Sequence, residues 1–277
     1  MRVLYRLFSF YINSSIHVAM AVCALTFITQ VYCNLPLHLP LLCFVFFATV
    51  TGYNFVKYFG VAKFHHRSLT AGLKAIQVFS FLCFVLTVYF AFQFSLKTLL
   101  FLALLAIITF TYAIPFLPKR YFIDSDLNLR SIGGLKIYII GVVWTAVTVF
   151  LPVVYNGSPL LPQVFVLGIQ RFVLVIVLML PFEIRDLKYD SLKLSTIPQQ
   201  IGIRRTKVIG SVLIVGVMFL EFVNSLYNPK YGLVLALVLF LTILLLWCAK
   251  KNQHNYYSAF WVEGLPIFWL GLILGLT

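Results

Sequence analysis

Three carboxylates, Glu183, Asp186 and Asp190, recur at spacings of three and four within the stretch PFEIRDLKYD. On a helix that spacing puts all three on one face. The chain has only seven acidic residues in all, so their clustering is notable. They close an apolar run over 164–182 and are followed by Lys188, Lys193, Arg204, Arg205 and Lys207. Carboxylate oxygens are what a hard divalent cation takes as ligands. The cations around them suit a polyanion that would share such a metal. The same pattern also fits a solvated helix end with ordinary charges.

Composition sets the elements that must position these groups. Hydrophobic residues make up 62% of the 277, charged ones 10%, and the mean hydropathy is +1.02. A soluble domain does not have this balance, and the chain is expected to be an all-α polytopic membrane protein. Apolar runs long enough to cross about 30 Å of hydrocarbon cover roughly 8–32, 40–60, 73–94, 97–115, 136–154, 163–184, 207–226, 231–248 and 259–276. These predict nine transmembrane helices, in which the short break over 92–97 is the one place where two could merge. With the N-terminus in the cytoplasm, every Lys and Arg except Lys97, Arg171 and Lys230 falls on the cytoplasmic side, which an eight-helix count would disrupt. The polar site is then cytoplasmic and the C-terminus lies on the far side.

The formal net charge of +14 comes from cations in short loops between apolar runs, so it points to orientation in the bilayer and not to nucleic acid. Five scattered cysteines without a CxxC pair argue for neither disulfides nor zinc. The start imitates a signal peptide, with Arg2 and Arg6 before an apolar segment, but Asn13, Ser14, Ser15 and His17 interrupt it and the apolar pattern continues to Val31. It is read as the first spanning helix. Far-side connections are short and nearly uncharged, as at 34–39 and 155–162, and no linker or soluble segment divides the chain, so residues 1–277 are expected to form a single domain.

Several of these residues together resemble the UbiA superfamily of intramembrane prenyltransferases. Arg185-Asp186-Leu187-Lys188-Tyr189-Asp190, followed by Ser195-Thr196-Ile197-Pro198 and Gly202, is similar to that family's second aspartate motif and its tail. Tyr112-Ala113-Ile114-Pro115 with Lys119 and Arg120, then Gly134-Leu135-Lys136, resembles the loop before its fifth helix. Asn54 stands where its first motif would begin. The order of these motifs covers nearly the whole chain. The resemblance implies transfer of an isoprenoid chain from a prenyl diphosphate to a quinone precursor or other lipid-like acceptor. It implies Asp186 and Asp190 as catalytic metal ligands with Glu183 as a further metal carboxylate, and Asn54, Lys57, Lys119, Arg120, Lys136 and Arg185 at the diphosphate. Lone cations in such loops more commonly set topology than bind a ligand.

The first motif departs from the family. Its aspartates would fall at Phe55, Tyr58 and Ala62, and no acid occurs before Asp124. One Mg2+ site at Asp186 and Asp190 is therefore expected, with the second in doubt. Lys57 and Lys63 either supply the missing positive charge or anchor their helix at the interface. Prenyl diphosphate, a hydrophobic acceptor and membrane lipid are the expected partners; the oligomeric state is not legible. Two other function classes stay open: a non-catalytic relative that binds a prenyl lipid or diphosphate, and, more weakly, a secondary transporter.

Of the remaining polar residues, Arg171 lies fifteen positions before Asp186, about 22 Å along a helix, too far for the carboxylate site. It is expected to snorkel to the far interface or pair with Glu221. Asn13, Ser14, Ser15 and His17 are expected to pack helices together, and His65 and His66 to lie at the surface.

Overall fold

A computed structural model describes residues 2–64, 71–113, 134–188, 196–224 and 228–276. Those residues are helical with short connections and contain no strand. In order the helices are α1 (Arg2–Asn13), α2 (Ile16–Tyr32), α3 (Leu39–Phe64), α4 (Ala71–Ala91), α5 (Leu96–Ala113), α6 (Leu135–Thr145), α7 (Leu151–Tyr155), α8 (Pro162–Asp186), α9 (Ile197–Ile201), α10 (Ile203–Val223), α11 (Pro229–Cys248) and α12 (Leu265–Leu274). A π-helical turn, Ala146–Phe150, joins α6 to α7, and a second one, Tyr257–Val262, leads into α12. Pro152 cannot donate to the carbonyl one turn back, which accounts for the widened turn just before it.

Seven helices among the described residues are long and apolar enough to cross a membrane: Leu39–Tyr58, Gly72–Ala91, Leu135–Tyr155, Pro162–Asp186, Ile203–Val223, Pro229–Cys248 and Tyr257–Leu274. An eighth span follows if α1 and α2 are taken together, and Leu96–Thr111 in α5 is a shorter apolar helix. The run read from sequence as the first spanning helix, 8–32, is broken into two helices. Leu4–Asn13 meets Ile16–Tyr32 at 56°. The break falls at Ser15, whose φ of 63° is left-handed, a conformation an L-residue adopts only when its surroundings hold it there.

Those surroundings are on α3. Ser15 Oγ donates to Asn54 Oδ1 at 2.8 Å, and Asn54 Nδ2 donates to Ser14 O at 2.9 Å and to Ser80 Oγ of α4 at 2.7 Å. Tyr58 Oη donates to Asn13 O at 3.0 Å. The polar residues that interrupt the first apolar run thus tie α1, α2, α3 and α4 together.

The core is built around α2 and α8. Val18, Ala21, Leu25 and Ile28 of α2 are buried, as are Leu174, Val177, Leu180 and Ile184 of α8. α8 is the most enclosed of the spans, with 67% of its apolar window buried, whereas Gly72–Ala91 has 11%. Helices that are apolar all round, as these are, suit a bundle bathed in lipid. Gly210 of α10 allows the closest approach, since a Cβ there would stand 2.5 Å from Leu246 Cδ2 and 2.9 Å from Leu180 Cδ1. Burying α8 carries its C-terminal residues, Glu183 to Asp186, to one end of the bundle.

Candidate functional site

At that end the α8 carboxylates part company. Glu183 is 2% exposed, one turn deeper than Asp186, which keeps 20% of its side chain exposed. Asp186 lies between two cations. Arg185 Nε donates to its Oδ1 at 2.7 Å, and Lys136 Nζ, from the first turn of α6, stands 4.0 Å from its Oδ2. The Arg185 guanidinium also lies over the Phe182 ring, 5.3 Å from its centroid. That contact and the ion pair fix its plane. Arg185, Asp186, Lys188 and Asn255 line an open pocket of about 310 Å3.

A second group adjoins it. Lys57, about two turns before the end of α3, is exposed, and its ammonium donates to Ser15 Oγ at 3.2 Å and Asn13 O at 3.4 Å. Glu263 acts electrostatically on both Lys57 and Arg185. This carboxylate was not singled out from sequence, although an acid inside an otherwise apolar final run is itself a signal. Next to it, His17 bonds through both ring nitrogens: Nε2 donates to Phe260 O at 2.9 Å, and Nδ1 meets the Tyr11 hydroxyl at 2.7 Å. Gln253 Nε2 donates to Pro181 O at 3.3 Å and also bonds Ser258 Oγ. The α11–α12 connection is thereby clamped against α8.

Of the residues expected at the site, Asp186, Arg185 and Lys136 are in contact, and Lys57 is within electrostatic range of Arg185. Asn54 is only 3% exposed, and its amide nitrogen donates to Ser14 O at the break between α1 and α2 and to Ser80 Oγ of α4. Asp190, Lys119 and Arg120 lie outside the described residues, as do His65 and His66 and the side chain of Lys63. Where the first motif would carry acids, Phe55 packs on Phe110 with centroids 5.5 Å apart and Tyr58 bonds Asn13. Ala62 is part of α3.

The fit to a metal is partial. No group of three or more His, Cys, Asp or Glu that could hold one occurs among the described residues. Asp186 supplies oxygens of the right kind for Mg2+ but already has two cations beside it. Chemically, the arrangement is an open anion-accepting pocket with one accessible carboxylate, at the end of an apolar bundle. A polytopic helical protein with an ionic site at the rim of its bundle is the class these features define.

No family profile and no curated protein matches the sequence, but solved structures match the fold. The chain is similar to the apo structure of a UbiA homologue from Aeropyrum pernix K1, at 16% identity and a TM-score of 0.66, over 94% of this chain and 98% of that one. It is similar to a digeranylgeranylglyceryl phosphate synthase, described in membranes, at 16% identity and a TM-score of 0.55, over 98% and 96%. A UbiA homologue from Archaeoglobus fulgidus bound to GPP and Mg2+ aligns at 13% identity and a TM-score of 0.59, over 95% of each chain. The chain has the UbiA fold over 94–98% of its length, as the sequence motifs lead one to expect.

Proposed function

We propose that this protein is a UbiA-type intramembrane prenyltransferase, which moves an isoprenoid chain from a prenyl diphosphate to a quinone precursor or other lipid-like acceptor. The observation that carries the reading is Asp186, held between Arg185 and Lys136 on an open pocket at the end of a bundle with the UbiA fold. The chemistry asks for that combination. Ionising an allylic diphosphate requires stabilising negative charge on the leaving group while an apolar space holds the chain.

In this reading Asp186 and Asp190 hold one Mg2+, with Glu183 behind them, and the diphosphate is met by Arg185, Lys136, Lys119 and Arg120. When bound, the metal neutralises charge on the diphosphate oxygens. Asn54 holds the break that presents Lys57, and Lys57 offers a fixed ammonium where the first motif has no acid. The alternative role for Lys57 is anchorage, and its bonds to Ser15 and Asn13 favour that as much as ligand binding. α5 counts as a spanning helix, so the single domain of residues 1–277 has nine spans, its N-terminus and polar site cytoplasmic and its C-terminus on the far side.

A second reading, a non-catalytic relative that binds a prenyl diphosphate without cleaving it, is favoured by one observation. The residues in the first-motif positions, Phe55 and Tyr58, are engaged in packing and a hydrogen bond to α1. Incubating the purified protein with a panel of prenyl diphosphates, with and without Mg2+, separates the two. Metal-dependent pyrophosphate release is expected. Binding without release favours the second reading, and no binding in any condition refutes both.

A further inference from the structure

The middle of the bundle carries charges that the polar site does not use. Arg171 of α8 is 1% exposed and Glu221 of α10 is 2% exposed. With Tyr32, Gln170 and Trp269 they line one enclosed space, yet they form no ion pair within 4.0 Å. Arg171 turns to α2 instead: Nη1 donates to Leu25 O at 3.1 Å and Nη2 to Thr29 Oγ1 at 3.4 Å, while its guanidinium stands 5.4 Å from the Trp269 ring centroid. On the other wall Gln170 Nε2 donates to Glu221 Oε2 at 3.0 Å and to Val217 O at 3.3 Å.

Three buried atoms on these walls have no hydrogen-bond partner: the acceptors Glu221 Oε1 and Gln170 Oε1 and the donor Trp269 Nε1. Leaving such atoms unsatisfied is costly, and hydrocarbon offers nothing to relieve them. The volume open to the centre of a water molecule is about 10 Å3, the space one water needs. A cation there would face Arg171 and an anion would face Glu221. A water suits both walls, because its two hydrogens serve the two acceptors and its oxygen accepts from N–H groups opposite.

The geometry points to a single bound water in this space, donating to Glu221 Oε1 and Gln170 Oε1, accepting from Trp269 and Arg171, and coupling the two buried charges. The coupling joins α2, α8, α10 and α12 at one level of the bundle. The water-bridged group fills the space between these four helices as a polar plug in the apolar core. The plug stands on residues that the prenyl-transfer reading does not use.

The test compares apparent melting temperatures of the full-length protein in nanodiscs for Arg171→Met, Glu221→Leu and the double variant. Each single change strands the opposite charge in the interior and is expected to lower the melting temperature by about 10 °C. The double variant strands neither and is expected to recover most of that loss. Falls that simply add in the double variant overturn the proposal. Trp269→Phe, which removes the N–H and keeps the ring, is expected to cost about 3 °C. Should the single variants not accumulate, a density map of the wild-type protein that resolves ordered water decides the matter. One peak within hydrogen-bond distance of Glu221 Oε1 and Gln170 Oε1 supports the plug, and an empty space refutes it.

Discussion

One helix, α8, carries two charged groups fifteen residues apart, and they are built in opposite ways. At its C-terminus Asp186 is partly exposed and in direct contact with Arg185 and Lys136 beside an open pocket. At mid-helix Arg171 is sealed in, with its countercharge on α10 and no direct contact between the two. An exposed ion pair contributes little to stability, because water competes for both partners. Its components are therefore free to exchange one another for a ligand. A buried charge has no such freedom: removing its compensation is expensive, so the group serves as structure. Burial, more than residue type, separates the two roles on this helix.

The comparison breaks first at Asp186. Changing Asp186 or Asp190 to Asn is expected to lower the Mg2+-dependent affinity for a non-ionisable prenyl diphosphate analogue by on the order of 100-fold, with the melting temperature shifted by less than about 2 °C. Calorimetric titration reads the first and a thermal melt the second; unchanged affinity in both variants sinks the metal assignment. Arg171→Met is the mirror image. It should leave analogue affinity within about threefold of wild type while lowering the melting temperature by about 10 °C, and a large loss of affinity would mean that the two groups are not separable.

Smaller effects sharpen the boundary of the polar site. Lys57→Ala is expected to weaken analogue binding by about tenfold if its ammonium meets the diphosphate, whereas an affinity that barely moves assigns Lys57 to anchorage. Gly264→Ala tests the support of the same corner. A Cβ there would lie 2.6 Å from Phe260 O and 3.3 Å from His17 Nε2, so a loss of about 1–3 kcal/mol in stability is expected, read by denaturant titration; an unchanged midpoint would show that the α1–α2–α12 corner yields freely. The mildest expected change is Glu183→Gln. That side chain is one turn deeper than Asp186 and nearly inaccessible, so analogue affinity should stay within about threefold, and a loss as large as that at Asp186 would make Glu183 a direct metal ligand.

Much of this was legible in the chain. Long apolar runs reported the seven helices able to cross a membrane, because hydrocarbon allows few alternatives to a helix of that length. The spacing of Glu183 and Asp186 placed both near the C-terminal end of α8, and the motifs around them reported the UbiA fold that the solved structures match. The break between α1 and α2 was not legible. The apolar pattern runs through it, and Ser14 and Ser15 look in sequence like ordinary packing residues; only Asn54, roughly forty positions away, reveals that they hold a bend. Glu263 was missed for a related reason: its role depends on Lys57 and Arg185, which belong to other helices.

What the sequence determined by itself is the solvent of each segment and the chemical types available, since transfer into a bilayer depends on composition over a window and not on neighbours. Tertiary structure alone decided which polar groups are accessible and which are sealed. Pairing Arg171 with Glu221 was a sound expectation from sequence, but packing turned the guanidinium toward Leu25 O and Thr29 and the carboxylate toward Gln170. Likewise the amide of Asn54, a residue the family resemblance puts at the ligand, is turned toward Ser14 O and Ser80 Oγ. Direction and burial of a side chain are set by contacts between helices far apart in the chain, and a linear pattern carries no information about those contacts.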